Sequence, residues 1–411
     1  MTTLSVAEGV PEARNYPYNC WWVAAFGNEV GRSLLGRWLL DTPVVLYRRE
    51  DGTVAALEDR CPHRQAPLSI GQLKGDTVEC GYHGFCFGAD GSCVRIPSMD
   101  GAPPANYSVK GFPVKEVGPL VWIYVGDPSV IDTVPPPPEL PWMADPGFAT
   151  QSGRMEISAN YMLLKENVLD LTHLVYVHAS SFQVADWTDP PEVISDSETV
   201  QYCQRFVNSP LAPGYALSLG VPPGTPWNRE ARGAFLSPAL HEGCVDFQAP
   251  SKPESQPARF RVVHAATPVD QTHMLYFWMI GRDFAKEPEA MEHLVGVISK
   301  GFDEDRVVLE AIQAHANRRP RVAAPASAAS RPTQPAFKHA ASLHAGWRAR
   351  RNQGARAPAG RTVERRRHDY FRHRAAHRMH LMACAAMALR SDHHRFAGRQ
   401  RHPLQPLSPA R

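Results

Sequence analysis

Cys61-Pro62-His63, then sixteen residues, then Cys80-Gly81-Tyr82-His83: two thiolates and two imidazoles arrive as two matched pairs. A Cys₂His₂ set suits a structural zinc, or a Rieske-type [2Fe–2S] cluster in which two histidines replace two cysteines on one iron. Zinc fingers usually pair Cys with Cys and His with His. Here each pair holds one Cys and one His, so each of two loops can give one ligand to each of two irons. The pattern favours the diiron cluster, with zinc as the alternative.

The surroundings of these pairs read as strands. Pro43 to Arg48 runs into Glu50-Asp51-Gly52, and Thr53 to Leu57 follows, which is strand, tight turn, strand. Leu120 to Val125 is another apolar strand, and the region from about Tyr16 to Asp127 is β-rich. The candidate ligands fall in the gaps, where Pro62, Gly81 and Gly84 permit tight loops. Pro135 to Pro138 and Pro141 then make a semi-rigid linker. Beyond it the pattern turns helical over Ser158 to Val177. Strands follow at Phe260 to His264 and Met274 to Ile280, then a helix from about Pro288 to Ala316. The fold class expected is α+β: an all-β metal-binding domain over residues 1–145, then an α+β catalytic domain with an antiparallel sheet and helices over 146–317.

Residues 318–411 are different material. From Arg318 onward there are 21 Lys plus Arg against three acids, so the net charge of +3 hides an acidic body of 23 bases and 38 acids. The tail shows no helical or strand period that would bury a face, and is expected to be disordered. A basic nucleic-acid arm is one reading. A stretch with no selected fold, such as GC-rich DNA read out of frame, explains better the abrupt change inside a continuing helix. Eight scattered cysteines in a chain of 411 residues are not a disulfide framework. No apolar run is long enough to span a bilayer, and Met1 to Asn15 is not a signal peptide. A cytoplasmic protein acting on neither membrane nor nucleic acid is expected.

The second chemical signal is Asn167-Val-Leu-Asp170-Leu-Thr-His173-Leu-Val-Tyr-Val-His178. Two histidines five apart are weak evidence by themselves. Asn167, Asp170 and His173 fall on one side of a helix. His178 is rotated about 140° from His173 on an ideal helix, so the helix must bend or end between them if both bind one ion. A non-haem Fe(II) site needs two histidines and a carboxylate, with positions left open for O₂ and substrate. The carboxylate must come from elsewhere in the chain, where Asp303-Glu304-Asp305 is an acidic run. Its bland reading is an exposed patch at a helix start, favourable to the helix dipole, a role expected of Asp303 and Glu304.

The form C-x-H-x₁₆-C-x₂-H, the form N-x-x-D-x-x-H-x₄-H, and the opening Tyr16-Pro-Tyr-Asn-Cys-Trp-Trp-Val-Ala-Ala25 together resemble the oxygenase (α) component of Rieske non-haem iron oxygenases. The branch resembled is that of vanillate demethylase and phthalate dioxygenase, and the resemblance runs from about Tyr16 to Ala316. It implies that Cys61, His63, Cys80 and His83 hold a [2Fe–2S] cluster and that His173 and His178 hold a mononuclear Fe²⁺. The third iron ligand is then Asp305, from an E-D-x-V-V pattern. By the same resemblance Asp170 links the two metal centres across a subunit boundary, and His264 is similar to a pocket histidine of the dicamba-monooxygenase branch. Phe85 stands where many relatives have Trp, and Cys86 beside it is expected to be a small buried residue, not a third thiolate ligand.

The resemblance further implies a homotrimer, and a reductase carrying flavin and a plant-type [2Fe–2S] cluster, fed by NADH or NADPH. Substrates of such enzymes in aromatic-compound catabolism are small aromatic acids, often with a ring ether. The expected reaction is oxygenation of a carboxylated aryl ether such as phenoxybenzoate, giving ether cleavage. The alternatives are O-demethylation of vanillate-like methoxybenzoates and a Rieske electron carrier without oxygenase activity. A carboxylated substrate needs a cationic or multi-donor partner, for which Arg205, Arg261 and Arg282 are candidates.

Overall fold

The computed structural model describes residues 16–187, 191–195 and 199–318. The expectation of a disordered basic tail thus falls outside the described residues. The first part is built of short antiparallel strands: β1 (Cys20–Phe26), β2 (Leu35–Leu39), β3 (Thr42–Arg48) and β4 (Val54–Glu58). Next come β5 (Gln72–Lys74), β6 (Thr77–Glu79), β7 (Cys86–Phe87) and β8 (Cys93–Arg95). The set closes with β9 (Gly111–Phe112), β10 (Val114–Val117) and β11 (Leu120–Val125). They form three sheets, in the orders β1-β11-β10, β2-β3-β4-β9 and β5-β6-β7-β8. The expected hairpin is β3–β4. Asp51 accepts from the Thr53 N–H at 2.9 Å, and Gly52 takes φ of +85°, which a residue without Cβ adopts freely.

The second part contains β12 (Ala149–Ile157), α1 (Tyr161–Leu169), α2 (Leu174–Val177), β13 (Glu192–Ser195) and β14 (Val200–Pro210). It continues through α3 (Pro213–Ser218), β15 (Pro226–Phe235), β16 (Leu240–Gln248), β17 (Ala258–Pro268), β18 (Met274–Arg282) and α4 (Pro288–Arg318). One seven-stranded antiparallel sheet, β12-β18-β17-β16-β15-β14-β13, carries the helices. Each strand from β13 to β18 pairs with the next in sequence, and β12 closes the edge beside β18.

Helix α4 lies on this sheet by a single stripe. Leu294, Ile298, Gly301, Phe302, Asp305 and Leu309 are its buried residues, at the spacing of one helical face. Phe302 packs edge-on against His264 and Tyr276, with centroids 5.6 and 5.5 Å away. A carboxylate, Asp305, thus sits in an otherwise apolar stripe, where it needs partners. The expectation that Asp303 and Glu304 decorate a helix start is corrected: α4 begins at Pro288, so both lie mid-helix, where the dipole offers little.

The two parts share one hydrophobic core running from Tyr16 to Leu309. Hydrogen bonds cross between them: Thr267 Oγ1 donates to the Val23 carbonyl at 2.7 Å, and the Leu40 N–H to the Pro268 carbonyl at 2.8 Å. Glu29 pairs with Arg37 at 2.6 Å and Arg154 at 3.3 Å, tying β12 to the first part.

Candidate metal centres

The two Cys/His loops fold alike. In the first, the Cys61 N–H donates to the Ala66 carbonyl at 2.9 Å and the Gln65 N–H to the Cys61 carbonyl at 2.9 Å. In the second, the Cys80 N–H donates to the Phe85 carbonyl at 2.8 Å and the Gly84 N–H to the Cys80 carbonyl at 3.0 Å. Gln65 and Gly84 occupy the same place in each loop, and both have positive φ, +59° and +71°. Two equivalent turns therefore present a cysteine at the start and a histidine just after it. Both cysteines are buried, and the His63 and His83 rings lie 4.5 Å apart. Phe85 stacks on His63 at 4.9 Å. Cys86 is buried on β7, with its Sγ 3.4 Å from the Gly84 carbonyl, as a structural residue would be.

These four side chains fit a cluster. The His63 Nδ1 is buried with no hydrogen-bond partner. Burial, with Cys80 beside it, pushes the Cys61 thiol up to about 11, so a bound cation is what makes it a thiolate. Four ligands on one zinc would lie within about 4.6 Å of one another. Among the described residues, only His173, His178 and Asp305 bring three donor atoms within 4.8 Å.

The second centre depends on a broken helix. Helix α1 is capped by Asn160, whose side chain accepts from the Met162 N–H at 3.0 Å, and it stops at Leu169. Asp170 leaves helical geometry at φ −106°, ψ 79°. Its carboxylate accepts from the Thr172 N–H at 3.3 Å and the Thr172 hydroxyl at 2.6 Å, capping a 3₁₀ turn over Leu171–His173. Helix α2 then ends at Val177, and His178 follows at φ −101°, ψ 23°. Asn167, Asp170 and His173 thus do not share one helical face, which corrects the sequence expectation. The required helix end between His173 and His178 is present.

The break turns both rings toward α4. The His173 and His178 Nε2 atoms lie 3.5 and 3.3 Å from the same Asp305 Oδ1. The Nε2 of His178 is buried and lacks a hydrogen-bond partner. The far nitrogens are taken: His173 Nδ1 by the Asp170 backbone carbonyl, His178 Nδ1 by Glu304 at 2.9 Å. Such partners fix the tautomer that presents Nε2 to a metal. Asn167 donates to Asp305 Oδ1 at 2.9 Å. Glu304 also accepts from Ser180 and Ser181, both at 2.6 Å. Burial holds the His173 pKa below its usual value, against the pull of Asp305. For His178 burial acts the same way, but Asp305 and Glu304 outweigh it and hold the pKa up. Two histidines and one carboxylate on one side of a point suit a ferrous ion with open positions.

That point opens on a cavity of about 150 Å³ between the sheet and α4, walled by apolar side chains such as Leu164, Val168, Val262 and Ile298. His264 lines it as expected, with Nδ1 2.6 Å from the Tyr276 hydroxyl. Burial lowers the His264 pKa to about 4. The candidate arginines are placed differently. Arg205 is exposed beside Glu230 at 2.8 Å, and Arg261 is held by Asp246 at 2.6 Å. Arg282 is buried but not part of the cavity wall. Sequence reasoning missed three residues here: Glu304 as the partner of His178, Tyr276 as the partner of His264, and His241 in the cavity wall. Asn167 was visible in the motif, but its contact with Asp305 spans 138 positions.

A paired-loop cluster domain joined to a two-histidine, one-carboxylate site beside an apolar cavity defines a Rieske oxygenase. Residues 20–113 match the Rieske [2Fe-2S] domain, and residues 157–331 match the vanillate O-demethylase oxygenase C-terminal domain. The chain is 36% identical over 306 residues to the oxygenase component of dicamba O-demethylase from Stenotrophomonas maltophilia, covering 72% of this chain and 87% of that relative. It is 33% identical over 309 residues to the iron–sulfur subunit of the toluene-4-sulfonate monooxygenase system of Comamonas testosteroni, covering 71% and 87%. Dicamba monooxygenase bound to 3,6-dichlorosalicylic acid superposes with a TM-score of 0.74 at 30% identity, over 83% of this chain and 99% of that one. The chain belongs to the Rieske non-haem iron oxygenase family, as an oxygenase component of the vanillate O-demethylase type. It is an oxidoreductase that uses O₂, a [2Fe–2S] cluster and a mononuclear iron, with electrons from a reductase partner. No helix among the described residues is long and apolar enough to cross a membrane.

Proposed function

We propose that this oxygenase removes the methyl group of a methoxylated aromatic acid, giving a phenol and formaldehyde. The observation that carries the proposal is the convergence of His173, His178 and Asp305 beside an apolar cavity. The relatives named as O-demethylases favour this over the cleavage of a diaryl ether such as phenoxybenzoate. A plain electron carrier has no use for a second metal site.

Cys61, His63, Cys80 and His83 hold the cluster in this reading, and His173, His178 and Asp305 hold the iron. When bound, the cluster supplies electrons singly and the ferrous ion is the place where O₂ is activated. The protein's own part is positional. Glu304 and the Asp170 carbonyl keep each imidazole proton on Nδ1, so that Nε2 faces the iron. Asn167 holds the Asp305 carboxylate in place. The cavity wall excludes water and aims the ring ether inward. Overall, ArOCH₃, O₂, two electrons and two protons give ArOH, formaldehyde and water.

The Asp170 carboxylate is assigned a second role, joining His173 to a cluster histidine of a neighbouring subunit in a homotrimer. In the single chain it is the Asp170 carbonyl that meets His173, while the carboxylate caps Thr172. NADH or NADPH, through a flavin and [2Fe–2S] reductase, is the ultimate donor, and the cytoplasm is the setting. The test is a product assay with the purified chain and a reductase, using methoxybenzoates and phenoxybenzoates. Formaldehyde and a phenol in equal amounts from the methoxybenzoates are expected. Catechol from phenoxybenzoate alone would restore ether cleavage. No product, with two irons and two sulfides per chain, would leave an electron carrier.

A further inference from the structure

One side of the cavity is walled by a stretch of irregular chain. It leaves His178 and runs to Trp187, setting Phe182, Val184 and Trp187 against the cavity, and 183–187 belongs to no helix or strand. Such a stretch has no ladder of backbone hydrogen bonds along its length, so its position depends on how its two ends are held. The near end is pinned. The His178 carbonyl accepts from the N–H groups of Ser181, Phe182 and Gln183 at 3.2, 3.0 and 3.1 Å, and Lys300 Nζ donates to the Ser180 carbonyl at 3.1 Å.

The far end is held through Asp186. Its carboxylate accepts from Ser209 Oγ at 2.5 Å and pairs with the Arg229 guanidinium. Arg229 stands on β15, and its side chain is 2% exposed, so the pair is shielded from the screening that weakens surface ion pairs. Its guanidinium carbon lies 4.1 Å from the ring centre of Phe206 on β14 and 6.0 Å from that of Tyr215 on α3. Phe206 in turn packs against Trp187 at 4.9 Å. Trp187 and Tyr215 line the cavity, whereas Arg229 does not. One buried cation thus backs several pieces of the wall from behind. A buried ion pair adds little net stability, because the desolvation of two charges offsets their attraction. A planar guanidinium does offer direction: its edge fits a carboxylate and its face an aromatic ring.

We propose that Arg229 is a positioning residue for the oxygenation: through Asp186, Phe206 and Tyr215 it fixes the far wall of the cavity, and with it how tightly the substrate ring is held beside the iron site. The pair thereby governs what share of the O₂ consumed ends in product. When the ring is held loosely, O₂ takes the same two electrons and two protons and leaves as hydrogen peroxide. The assignment goes beyond the demethylase reading and uses that reading only to choose a probe substrate.

The experiment compares the iron-loaded wild type with Asp186→Leu/Arg229→Met, in which apolar side chains replace both charges so that neither is left buried alone. Chymotrypsin cleavage after Phe182 and Trp187 is followed by mass spectrometry. Turnover of 4-methoxybenzoate with the reductase is followed as formaldehyde and peroxide formed per O₂ consumed. In the double variant, cleavage at the two sites should speed up about 10-fold, while sites in β17, β18 and α4 stay at the wild-type rate. Mononuclear iron should be retained, kcat/KM should fall about 10–100-fold, and peroxide should replace formaldehyde. Ser209→Ala, which takes one hold from Asp186 and leaves no charge unpaired, should act in the same direction to a smaller degree. Arg229→Lys, which keeps the charge pair without the planar face, should fall between wild type and the double variant. Wild-type cleavage at Phe182 and Trp187 in the double variant, or wild-type product per O₂, would overturn the proposal. So would faster cleavage spread evenly over the catalytic part, because the pair would then serve general stability. Failure of wild type to turn over 4-methoxybenzoate would reject the demethylase reading instead, and the cleavage measurement, which needs no substrate, would still decide this one.

Discussion

Glu304 and Asp305 are adjacent acids with different duties, because neighbouring helix positions point about 100° apart. Asp305 faces both histidines, while Glu304 reaches back to His178 Nδ1 and two serines. Outer partners of metal-binding histidines are worth 10–100-fold in metal affinity. Glu304→Ala should therefore weaken retention of the mononuclear iron by about 10–100-fold and leave the Rieske spectrum unchanged, as checked by iron release to a chelator. Glu166, one position before Asn167 on α1, permits a pH test of stability. Burial raises its pKa from 4.5 to about 7. Between those values the folded chain holds a proton that the unfolded chain releases, so stability falls as pH rises through that window. Glu166→Gln keeps the neutral shape and should stabilise by about 2 kcal/mol at pH 8 and hardly at all near pH 4.5. Thermal melts at the two pH values read the difference, and an equal gain at both would count against it.

At the scale of elements, the site is the meeting of a broken helix with a straight one. Helix α1 must stop before His173, and α2 must stop before His178, or the two rings diverge. The close approach of α4 is set at Gly301, where an added Cβ would collide with the ring of Phe182, which in turn packs 4.5 Å from the His178 ring. Gly301→Ala should push Phe182 against His178 and lower both iron content and turnover several-fold, while circular dichroism keeps the native sheet signal. Unaltered iron and turnover would mean that the ring of Phe182 gives way freely. The strands β3, β4, β11, β17 and β18 were visible as apolar runs, and α4 as a helix with a proline in its first turn. The break at Asp170 was not, because an aspartate inside an N-x-x-D-x-x-H pattern looks equally at home on a continuous helix. What ends the helix is the capping of Thr172 by the Asp170 carboxylate, a local hydrogen bond that competes with helix continuation.

Across the whole molecule, Cys61, Cys80 and Phe85 belong to a hydrophobic cluster distinct from the main core that holds Leu164, Val168 and Phe302, so loss of one metal need not unfold the other. The intact chain should contain about three irons and two acid-labile sulfides, two of those irons in the cluster. His173→Ala should bring iron to about two per chain, abolish product and keep the Rieske absorption. Loss of the visible spectrum in that variant would speak against independent centres. Asp170→Asn should keep both metals but slow electron passage between them, and unchanged single-turnover kinetics would refute the bridging role.

The sequence by itself determined the ligand chemistry and the order of the parts. Matched Cys/His pairs and a histidine pair are local patterns, and metal coordination demands those residue types at short spacing. The resemblance carried by Glu304-Asp305-Arg306-Val307-Val308 already named Asp305, and only the tertiary structure decided that Asn167 holds Asp305, that Glu304 holds His178, and that His241 faces His264. Those contacts join positions 23 to 138 residues apart. They arise from the packing of α4 onto the sheet and from the register of β16 against β17, and neither leaves a periodic trace along the chain.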